Sequence, residues 1–231
     1  MAAGRESHEG ALAKFAQMEA DTDSYEFELD GKTIPVLPGV FSPKYFSDVD
    51  WFAREVPKIV GNRSLLEIGT GTGIIALFVA LAGSGRILAT DINPRAVKNA
   101  TETFRRHGIR ASVRESDVFS TITPENRFDV IFWNHPFFCA DEPVPTMLAR
   151  GGFDHRYQSL QAFFAGAKGH LNPGGEVLLG TSKSAHIGKI LDMAKEHGYR
   201  TQLVTKAQIP SRRRPGVFMD ARIYSFRPKM S

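Results

Sequence analysis

The sequence predicts an α/β fold built on a mainly parallel sheet. From Ser64 onward, short apolar runs alternate with amphipathic segments of helical length, which is typical of stacked strand–helix units. A turn containing Gly69, Gly71 and Gly73 follows the first of these apolar runs. At 231 residues, the chain is long enough to bury a sizeable core in one such domain and to carry a small extension before it.

The individual strands and helices follow from this alternation. Pro94 suits the first turn of a helix, where its missing N–H costs nothing, and Gly108 and Gly198 each follow a histidine at a helix end, as C-cap glycines do. The patterns predict strands at 65–68, 86–90, 111–114, 128–133 and 176–179, helices at 74–82, 94–107, 157–170 and 184–197, and two final strands at 201–207 and 217–227 joined by the basic loop 210–216.

The first 60 residues are predicted to form a separate extension ahead of the core at 61–231. Leu12, Phe15 and Met18 lie at the spacing of an amphipathic helix. The dipeptide Asp30-Gly31, between apolar-rich runs at 24–29 and 33–37, is a strong hairpin signal.

Composition limits the possible partners. The net charge of +4 is spread along the chain, which permits a nucleic-acid partner without demanding one. A single cysteine, Cys139, excludes an internal disulfide framework and a cysteine-rich zinc site, and we expect no metal. Since the sequence has neither a signal-peptide pattern nor an apolar run of membrane-spanning length, we expect a cytoplasmic protein that does not bind membranes.

The glycine turn fits a nucleotide-like cofactor. Its glycines let the backbone turn tightly, approach a ligand closely and pack the next helix onto the sheet. A nicotinamide fingerprint requires a third glycine three positions after the second, and Ile74 stands there instead. Asp91, which closes the second predicted strand, can accept both hydroxyl protons of a ribose.

The tetrad Asn134-His135-Pro136-Phe137, which follows the apolar run 128–133, is the most informative motif of the chain. It combines a side-chain amide, a backbone carbonyl next to a proline, and an aromatic face. The two oxygens can accept the N–H protons of a planar nitrogen group while the ring stacks on the π face of that group. The motif therefore predicts an acceptor site for a planar nitrogen.

Together, the glycine turn and the tetrad resemble the class I S-adenosylmethionine (SAM) methyltransferases that methylate planar nitrogens through an Asn-Pro-Pro-Phe/Tyr motif, among them the catalytic core of the release-factor glutamine methyltransferases. The resemblance runs from about Ser64 to the end of the chain. It implies a Rossmann-like seven-stranded sheet whose last hairpin is antiparallel. His135 replaces the first proline of the motif. The family uses that position through its carbonyl, while a general-base role for the imidazole stays open.

The resemblance also implies an enzyme that binds SAM, releases S-adenosylhomocysteine and closes a lid, residues 1–60, over the cofactor through a segment like 38–43. In the family, the residue matching Glu67 orients the amino-acid end of the cofactor, and those matching Asp117 and Val118 contact adenine. The implied cofactor-binding residues are Glu67, Gly69, Thr70, Gly71, Gly73, Asp91, Ile92, Asp117, Val118 and Asn134; the catalytic residues are Asn134, His135, Pro136 and Phe137; the substrate-binding residues are Phe41, Phe137, Phe138 and Glu142.

Three acceptor classes compete: a small molecule with a guanidine, amide or amine, a glutamine on a protein, and an adenine in RNA. The N-terminal extension is too short and too strand-like for the helical substrate-reading domain of the release-factor enzymes, which favours a small molecule. The alternative from another class is a non-catalytic SAM-binding partner subunit, and Asn134 argues against it. Arg212, Arg213 and Arg214 form the one dense basic cluster of the sequence and would contact phosphate if the acceptor were RNA.

Overall fold

The protein is described by a computed structural model over residues 8–212 and 216–229, with side chains from Gly10 onward. Short 3-10 turns lie at Ala149–Gly151 and Lys168–His170. The other elements are α1 (His8–Ala20), β1 (Tyr25–Leu29), β2 (Lys32–Val36), α2 (Asp48–Val60), β3 (Leu65–Ile68), α3 (Ile74–Leu81), β4 (Ile87–Asp91), α4 (Pro94–Arg106), β5 (Ser112–Glu115), β6 (Phe128–Asn134), β7 (Phe138–Ala140), β8 (Phe153–His155), α5 (Gln158–Ala167), β9 (Leu171–Thr181), α6 (Ile187–Glu196), β10 (Tyr199–Pro210) and β11 (Phe218–Pro228).

A seven-stranded sheet in the order β10-β11-β9-β6-β3-β4-β5 forms the centre of the protein. Strands β5, β4, β3, β6 and β9 run parallel, and β11 pairs antiparallel with both β9 and β10. The Rossmann-like sheet with an antiparallel last hairpin is therefore confirmed. The chain runs outward from β3 to β4 in one direction and reaches β6 on the other side, so the topological switch point, where α/β sheets bind ligands, lies beside β3.

Apolar side chains cover both faces of the sheet. On one face, Phe163 and Phe164 of α5 pack with Ile190 of α6 over strands β6 and β9. On the other, residues of α2 and α3, including Phe52 and Leu77, cover strands β3 and β6. Within the part of the chain that the structure describes, no helix has both the length and the apolar character needed to cross a bilayer.

The predicted N-terminal hairpin forms, and it is bonded to the core. Asp30 and Gly31 both adopt positive φ, 47° and 71°, which is the conformation that a type I′ turn requires. Asn99 of α4 is completely buried: its Oδ1 accepts from Leu37 N at 2.8 Å, and its Nδ2 donates to Pro35 O at 2.7 Å. The hairpin thus has a fixed position beside the glycine turn, because Asn99 and that turn are neighbours.

The first 60 residues are more helical than the sequence analysis expected. Helix α2, 13 residues long, was missed. Pro57 inside the helix obscures the pattern, although Val49, Phe52, Val56 and Val60 have amphipathic spacing. A two-stranded parallel sheet of β7 and β8 was missed as well, since each strand has only three residues.

Candidate active site

A cleft at the carboxyl ends of β3, β4 and β6 brings most of the predicted site residues together. The predicted residues that line it are Phe41, Gly69, Thr70, Gly71, Asp91, Ile92, Asp117, Val118, Asn134, His135, Pro136, Phe137 and Phe138. Parallel strands end at the same edge of a sheet, so residues distant in sequence meet there. Glu67, Gly73 and Glu142 do not line the cleft.

The glycine turn has a backbone that only glycine adopts without strain. Gly69, Gly71 and Gly73 have φ of 65°, 57° and 79°. A Cβ on Gly69 would come within 2.8 Å of Trp133 Nε1, and one on Gly73 within 3.0 Å of the Ala100 Cα, so these two glycines permit close packing. A Cβ on Gly71 would meet no atom within 4 Å. The turn therefore leaves open space beside exposed backbone, which fits a cofactor.

Glu67 supports the turn from beneath. Its side chain is buried, and its Oε2 accepts a hydrogen bond from Thr70 Oγ1 at 2.6 Å. Burial raises the pKa of this carboxyl to about 8, so the group is mostly protonated at neutral pH. In this structure, Glu67 contacts the turn and not the cleft, which differs from the expected role beside the amino-acid end of the cofactor.

Asp91 lines the cleft at the end of β4. Its Oδ2 accepts from Gly71 N at 2.8 Å and its Oδ1 from Asn93 N at 2.9 Å. Burial raises the pKa of this carboxyl above its usual range. Because each carboxylate oxygen has a second lone pair, Asp91 can hold the turn and still accept two hydroxyl protons.

The loop after β5 carries backbone strain. Val118 is buried with φ of 50°, a conformation that is a genuine outlier for a β-branched residue. The exposed carboxylate of Asp117 lies 3.7 Å from Arg150 Nη2, and both residues line the cleft. Strain of this kind persists where the surroundings impose it, and it is concentrated at ligand sites.

Asn134 is the last residue of β6 and pairs with Gly180 of β9. Its Oδ1 is buried and has no hydrogen-bond partner among the described residues. A Cβ at position 180 would lie 3.1 Å from that oxygen and 2.9 Å from the Phe52 ring, so the glycine provides room for the amide. A buried acceptor without a partner costs about 1–3 kcal/mol, which indicates that a ligand supplies the missing donor.

The side chain of His135 is directed into the protein. It is only 2% exposed, and its Nε2 lies 2.9 Å from Thr181 Oγ1 in β9. Burial lowers the pKa of the ring to about 3. A ring of this kind is neutral near pH 7 and a poor proton acceptor, so the geometry gives no support to the general-base role.

Tyr157, which the sequence analysis missed, fixes the backbone of the tetrad. Its hydroxyl donates to Phe137 O at 2.9 Å and accepts from His186 N at 3.1 Å. Arg156 and Tyr157 adopt consecutive positive φ angles of 51° and 57°. No sequence signal marks this strained pair, since neither residue type favours that conformation.

Aromatic side chains close the acceptor end of the cleft. Phe41 and Phe46 stack with ring centroids 4.5 Å apart, and Phe15 of α1 lies 5.7 Å from Phe46. Phe138 stacks on Phe153 at 5.1 Å. Among these, Phe15, Phe41, Phe46 and Phe138 line the cleft, so the N-terminal extension contributes one of its walls. The predicted Glu142 is exposed on the loop after β7 and takes no part in this wall.

Arg212 binds the protein itself. Its Nη1 donates to Pro43 O at 2.5 Å, its backbone N–H donates to Ser47 Oγ at 2.9 Å, and its guanidinium forms an ion pair with Asp50. These contacts join the last hairpin to the first turn of α2. Arg212 is therefore not a free phosphate contact; Arg213 and Arg214 lie outside the described residues.

The sheet and this cleft define a class I methyltransferase, an enzyme that takes its methyl group from SAM. Over residues 31–209, the sequence matches the family of the methyltransferase small domain, and the chain belongs to that family. Within 8–212 and 216–229, no three His, Cys, Asp or Glu side chains are grouped so that they could hold a metal ion.

Sequence relatives of this chain include a protein methyltransferase and ribosomal RNA methyltransferases. A putative protein N5-glutamine methyltransferase of Methanocaldococcus jannaschii is 30% identical over 188 residues, which cover 79% of this chain and 92% of that protein. The ribosomal RNA small subunit methyltransferase C of Enterobacter sp. (strain 638) is 30% identical over 186 residues, 80% of this chain, but the match spans only 50% of that protein. The T. thermophilus 16S rRNA N2 G1207 methyltransferase, solved with AdoMet and guanosine, shares the fold with a TM-score of 0.65 and 21% identity, over 90% of this chain and 50% of that chain.

Proposed function

We propose that this enzyme transfers a methyl group from SAM to a planar nitrogen, an exocyclic amine or an amide, of a macromolecular substrate. The observation that carries the proposal is the buried, unpartnered Asn134 Oδ1 among the described residues, at the end of β6. An N–H group of the acceptor satisfies this oxygen. A SAM-binding subunit without catalysis has no need of a buried oxygen that lacks a partner.

The chain's own residues orient the two reactants. The glycine turn and Asp91 would hold the cofactor, with Asp91 available to the ribose hydroxyls and Val118 to the adenine ring. Asn134 Oδ1 and the His135 carbonyl accept the N–H protons of the acceptor, and Phe137 stacks on its plane. Bound SAM would supply an electrophilic methyl group. The acceptor nitrogen would form the N–C bond as the C–S bond breaks with its electron pair left on sulfur, and the nitrogen would release one proton to solvent. The two oxygens stabilise the positive charge that develops on nitrogen.

The relatives' names bear on the substrate. They specify a protein glutamine and ribosomal RNA, and none of the relatives described above is named for a small molecule. The preference for a small molecule relied on an N-terminal extension too short and too strand-like for a helical substrate-reading domain, and α2, which was not predicted, weakens that argument. We therefore take a protein or RNA as the substrate.

In this proposal, the described part of the chain that precedes α2 acts as the lid expected within residues 1–60, because α2 itself packs on strands β3 and β6. Phe15, Phe41 and Phe46 contribute to the cleft wall, so movement of this extension would open the site. Two hydrogen bonds connect the lid to the core. Asn93 Nδ2 donates to Gly39 O at 2.8 Å, and Asn99 joins the hairpin to α4. Asn93 lies two residues after Asp91, so cofactor binding at Asp91 acts directly on the segment that closes.

A transfer assay with methyl-tritiated SAM tests the proposal. The substrates are small-subunit ribosomal RNA, a translation release factor and free guanidines. After the reaction, the RNA is digested to nucleosides and the release factor to amino acids. We expect label on a nitrogen of RNA or protein, with Asn134→Ala as the matched inactive control. Label on oxygen, carbon or sulfur, or equal labelling by the control, would overturn the proposal.

A further inference from the structure

The first turn of α2 projects over the acceptor tetrad. This helix leads into β3, so it runs antiparallel to the strands and its N-terminus lies at their carboxyl ends. Phe52 of α2 lies 6.2 Å, centroid to centroid, from Phe132 of β6 and also borders Gly180, the strand partner of Asn134. Position 48 is one helical turn earlier on the same face of α2, about 6 Å further toward the open end. Asp48 therefore lies above the end of β6.

Asp48 lines the cleft as a buried acid. Its exposed fraction is 3%, and the lining that it shares includes the apolar Phe41, Phe46 and Val49. A carboxylate in such apolar surroundings requires hydrogen-bond donors. An ionised carboxylate has about four acceptor positions, so it can bond within the protein and still accept a substrate N–H.

The position of this acid is fixed from outside the cleft. Arg212 donates to Phe46 O at 3.3 Å and to Pro43 O at 2.5 Å, and it forms an ion pair with Asp50. Its backbone N–H binds Ser47 Oγ. The residues before and after Asp48 are therefore held together, which is the preorganisation that a recognition group needs.

We infer that Asp48 is a specificity-determining residue, and that its carboxylate accepts a hydrogen bond from a ring N–H beside the reacting amine of a guanine base. This inference rests on the proposed function and narrows it. Guanine has an N1–H next to its exocyclic N2 amine, so the two donors meet adjacent acceptors: N2 faces Asn134 Oδ1 and the His135 carbonyl, and N1–H faces Asp48.

In the other planar amines and amides, the atom beside the reacting nitrogen cannot donate a hydrogen bond to Asp48. Adenine has the unprotonated N1 beside its amine, cytosine has N3, and a glutamine amide has its carbonyl oxygen. Each would direct a lone pair at a buried carboxylate, which costs a hydrogen bond and adds repulsion. A guanidinium ion has adjacent donors, but the stacked Phe41 and Phe46 and the ring of Phe137 suit a wider, flat heterocycle.

The first test identifies the modified group. Unmethylated small-subunit ribosomal RNA and a translation release factor are incubated separately with the enzyme and labelled SAM, then digested. We expect N2-methylguanosine from the RNA. Label on a glutamine, an arginine or an adenine amine would overturn this inference and leave the proposed N-methyl transfer standing. The absence of label from every nitrogen would overturn both.

The second test changes the ring atom beside the reacting amine. Guanosine and 2-aminopurine riboside are compared at the methylated position of the same RNA fragment; 2-aminopurine keeps the amine but lacks the N1–H and the 6-oxo group. For the wild type, we expect kcat/KM to favour guanosine by about 100-fold, the usual effect of one charged hydrogen bond. Asp48→Ala should lower kcat/KM for guanosine by about 100-fold, change 2-aminopurine riboside by less than about threefold, and leave SAM affinity unaltered.

Two further variants separate recognition from structure. Asp48→Asn, which keeps one acceptor oxygen, should recover part of the preference for guanosine. Glu55→Gln, on the same helix but outside the cleft, should keep the wild-type ratio. Equal use of the two nucleosides by the wild type would overturn the inference without any variant, and so would an Asp48→Ala enzyme that keeps the wild-type ratio.

Discussion

At the amino-terminal edge of the sheet, where the strands begin, the polar side chains are bonded to one another. Glu176 of β9 pairs with Val130, at the level where β3 begins. It accepts from Arg63 Nη1 at 2.8 Å, Arg227 Nε at 3.1 Å and the Ser225 hydroxyl. Burial alone would raise the pKa of Glu176, but these donors bring it below its usual range. Asp129 is similarly bonded to Ser64.

The polar side chains of the carboxyl-terminal edge are less completely paired. Asn134 Oδ1 is buried and unpartnered in the described part of the chain, and Glu67 has a raised pKa. Three of the four non-glycine residues described with positive φ, Val118, Arg156 and Tyr157, belong to loops at this edge. One edge therefore contributes stability, and the other retains unfavourable terms that a bound ligand can relieve. The comparison predicts that mutations at the two edges change different measurable quantities.

The largest change in stability is expected from Glu176→Ala. Removing a buried carboxylate that accepts three hydrogen bonds should lower the free energy of unfolding by about 3 kcal/mol. This is the low end for a broken buried pair, because Arg63 and Arg227 are partly exposed and regain water. Urea unfolding measures the loss, while kcat per folded molecule should not change. The control Glu26→Ala removes an exposed ion pair with Arg106 and should cost under about 1 kcal/mol. Equal losses in the two variants would contradict the contrast between the edges.

Asn134→Ala is expected to have the opposite effects: turnover falls while stability is retained. Since Asn134 Oδ1 is buried without a partner among the described residues, its removal should not lower the free energy of unfolding and should relieve part of the cost of about 1–3 kcal/mol that an unpaired acceptor carries. Turnover should fall about 100-fold or more, because the lost dipole acts on the charge that develops at nitrogen. SAM affinity, measured by calorimetry, should stay near that of the wild type.

The matched control for Asn134 lies at the other edge. Asn172 Nδ2 donates to Asp129 Oδ1 at 2.8 Å, so Asn172→Ala should cost about 1 kcal/mol of stability with normal turnover. Near-normal turnover by Asn134→Ala would mean that the tetrad is only a structural turn. A kcat loss in Asn172→Ala would show that the two edges are not independent.

Much of the architecture could be predicted from the sequence because it depends on local patterns. Helix α3 was predicted at 74–82 and observed at Ile74–Leu81, and α4 was predicted at 94–107 and observed at Pro94–Arg106, since a glycine turn and a proline mark where they begin. The glycine turn, Asp91 and the tetrad were identified for the same reason: each combines a distinctive residue type with the end of an apolar run.

The remaining site residues depend on contacts between distant segments. Arg212 was interpreted as a possible phosphate contact because it lies in a basic run, yet the fold brings it to Ser47 and Asp50. Asp48 carried no motif, and only the antiparallel course of α2 brings it to the cleft. Glu67 matched a family motif, but the sequence could not indicate that its carboxyl faces Thr70.

Asp91→Ala tests the cofactor-binding residues at the carboxyl-terminal edge of the sheet. We expect SAM binding to weaken by about 1–3 kcal/mol, since two ribose hydroxyls lose their acceptor and Gly71 N loses a bond that shapes the turn. Calorimetry with SAM and S-adenosylhomocysteine measures the effect. The control Glu115→Ala changes an exposed acid at the end of β5 and should bind normally. Wild-type affinity in the Asp91 variant, or tight binding of a nicotinamide dinucleotide, would overturn the assignment of the turn.

The last expected effect concerns the pH dependence of stability at His135. The ring has a folded pKa of about 3, whereas an unfolded histidine titrates near 6.5. Below the unfolded value, the unfolded chain binds a proton that the folded chain excludes. The stability from the neutral buried ring is therefore fully present above pH 6.5 and is lost as the pH falls toward 3. The slope is about 1.4 kcal/mol per pH unit.

The variant His135→Gln keeps a polar group near Thr181 and cannot titrate, so it isolates this contribution. Urea unfolding at pH 7, 6 and 5 should show the wild type losing up to about 1.4 kcal/mol per unit more than the variant, because carboxylates common to both proteins cancel in the difference. If the free energy of unfolding changed equally with pH in the wild type and the variant, water would reach the His135 ring and the ring would titrate normally. A titrating ring would restore histidine as a candidate base, and the carboxyl edge would then hold a proton acceptor that the buried geometry excludes.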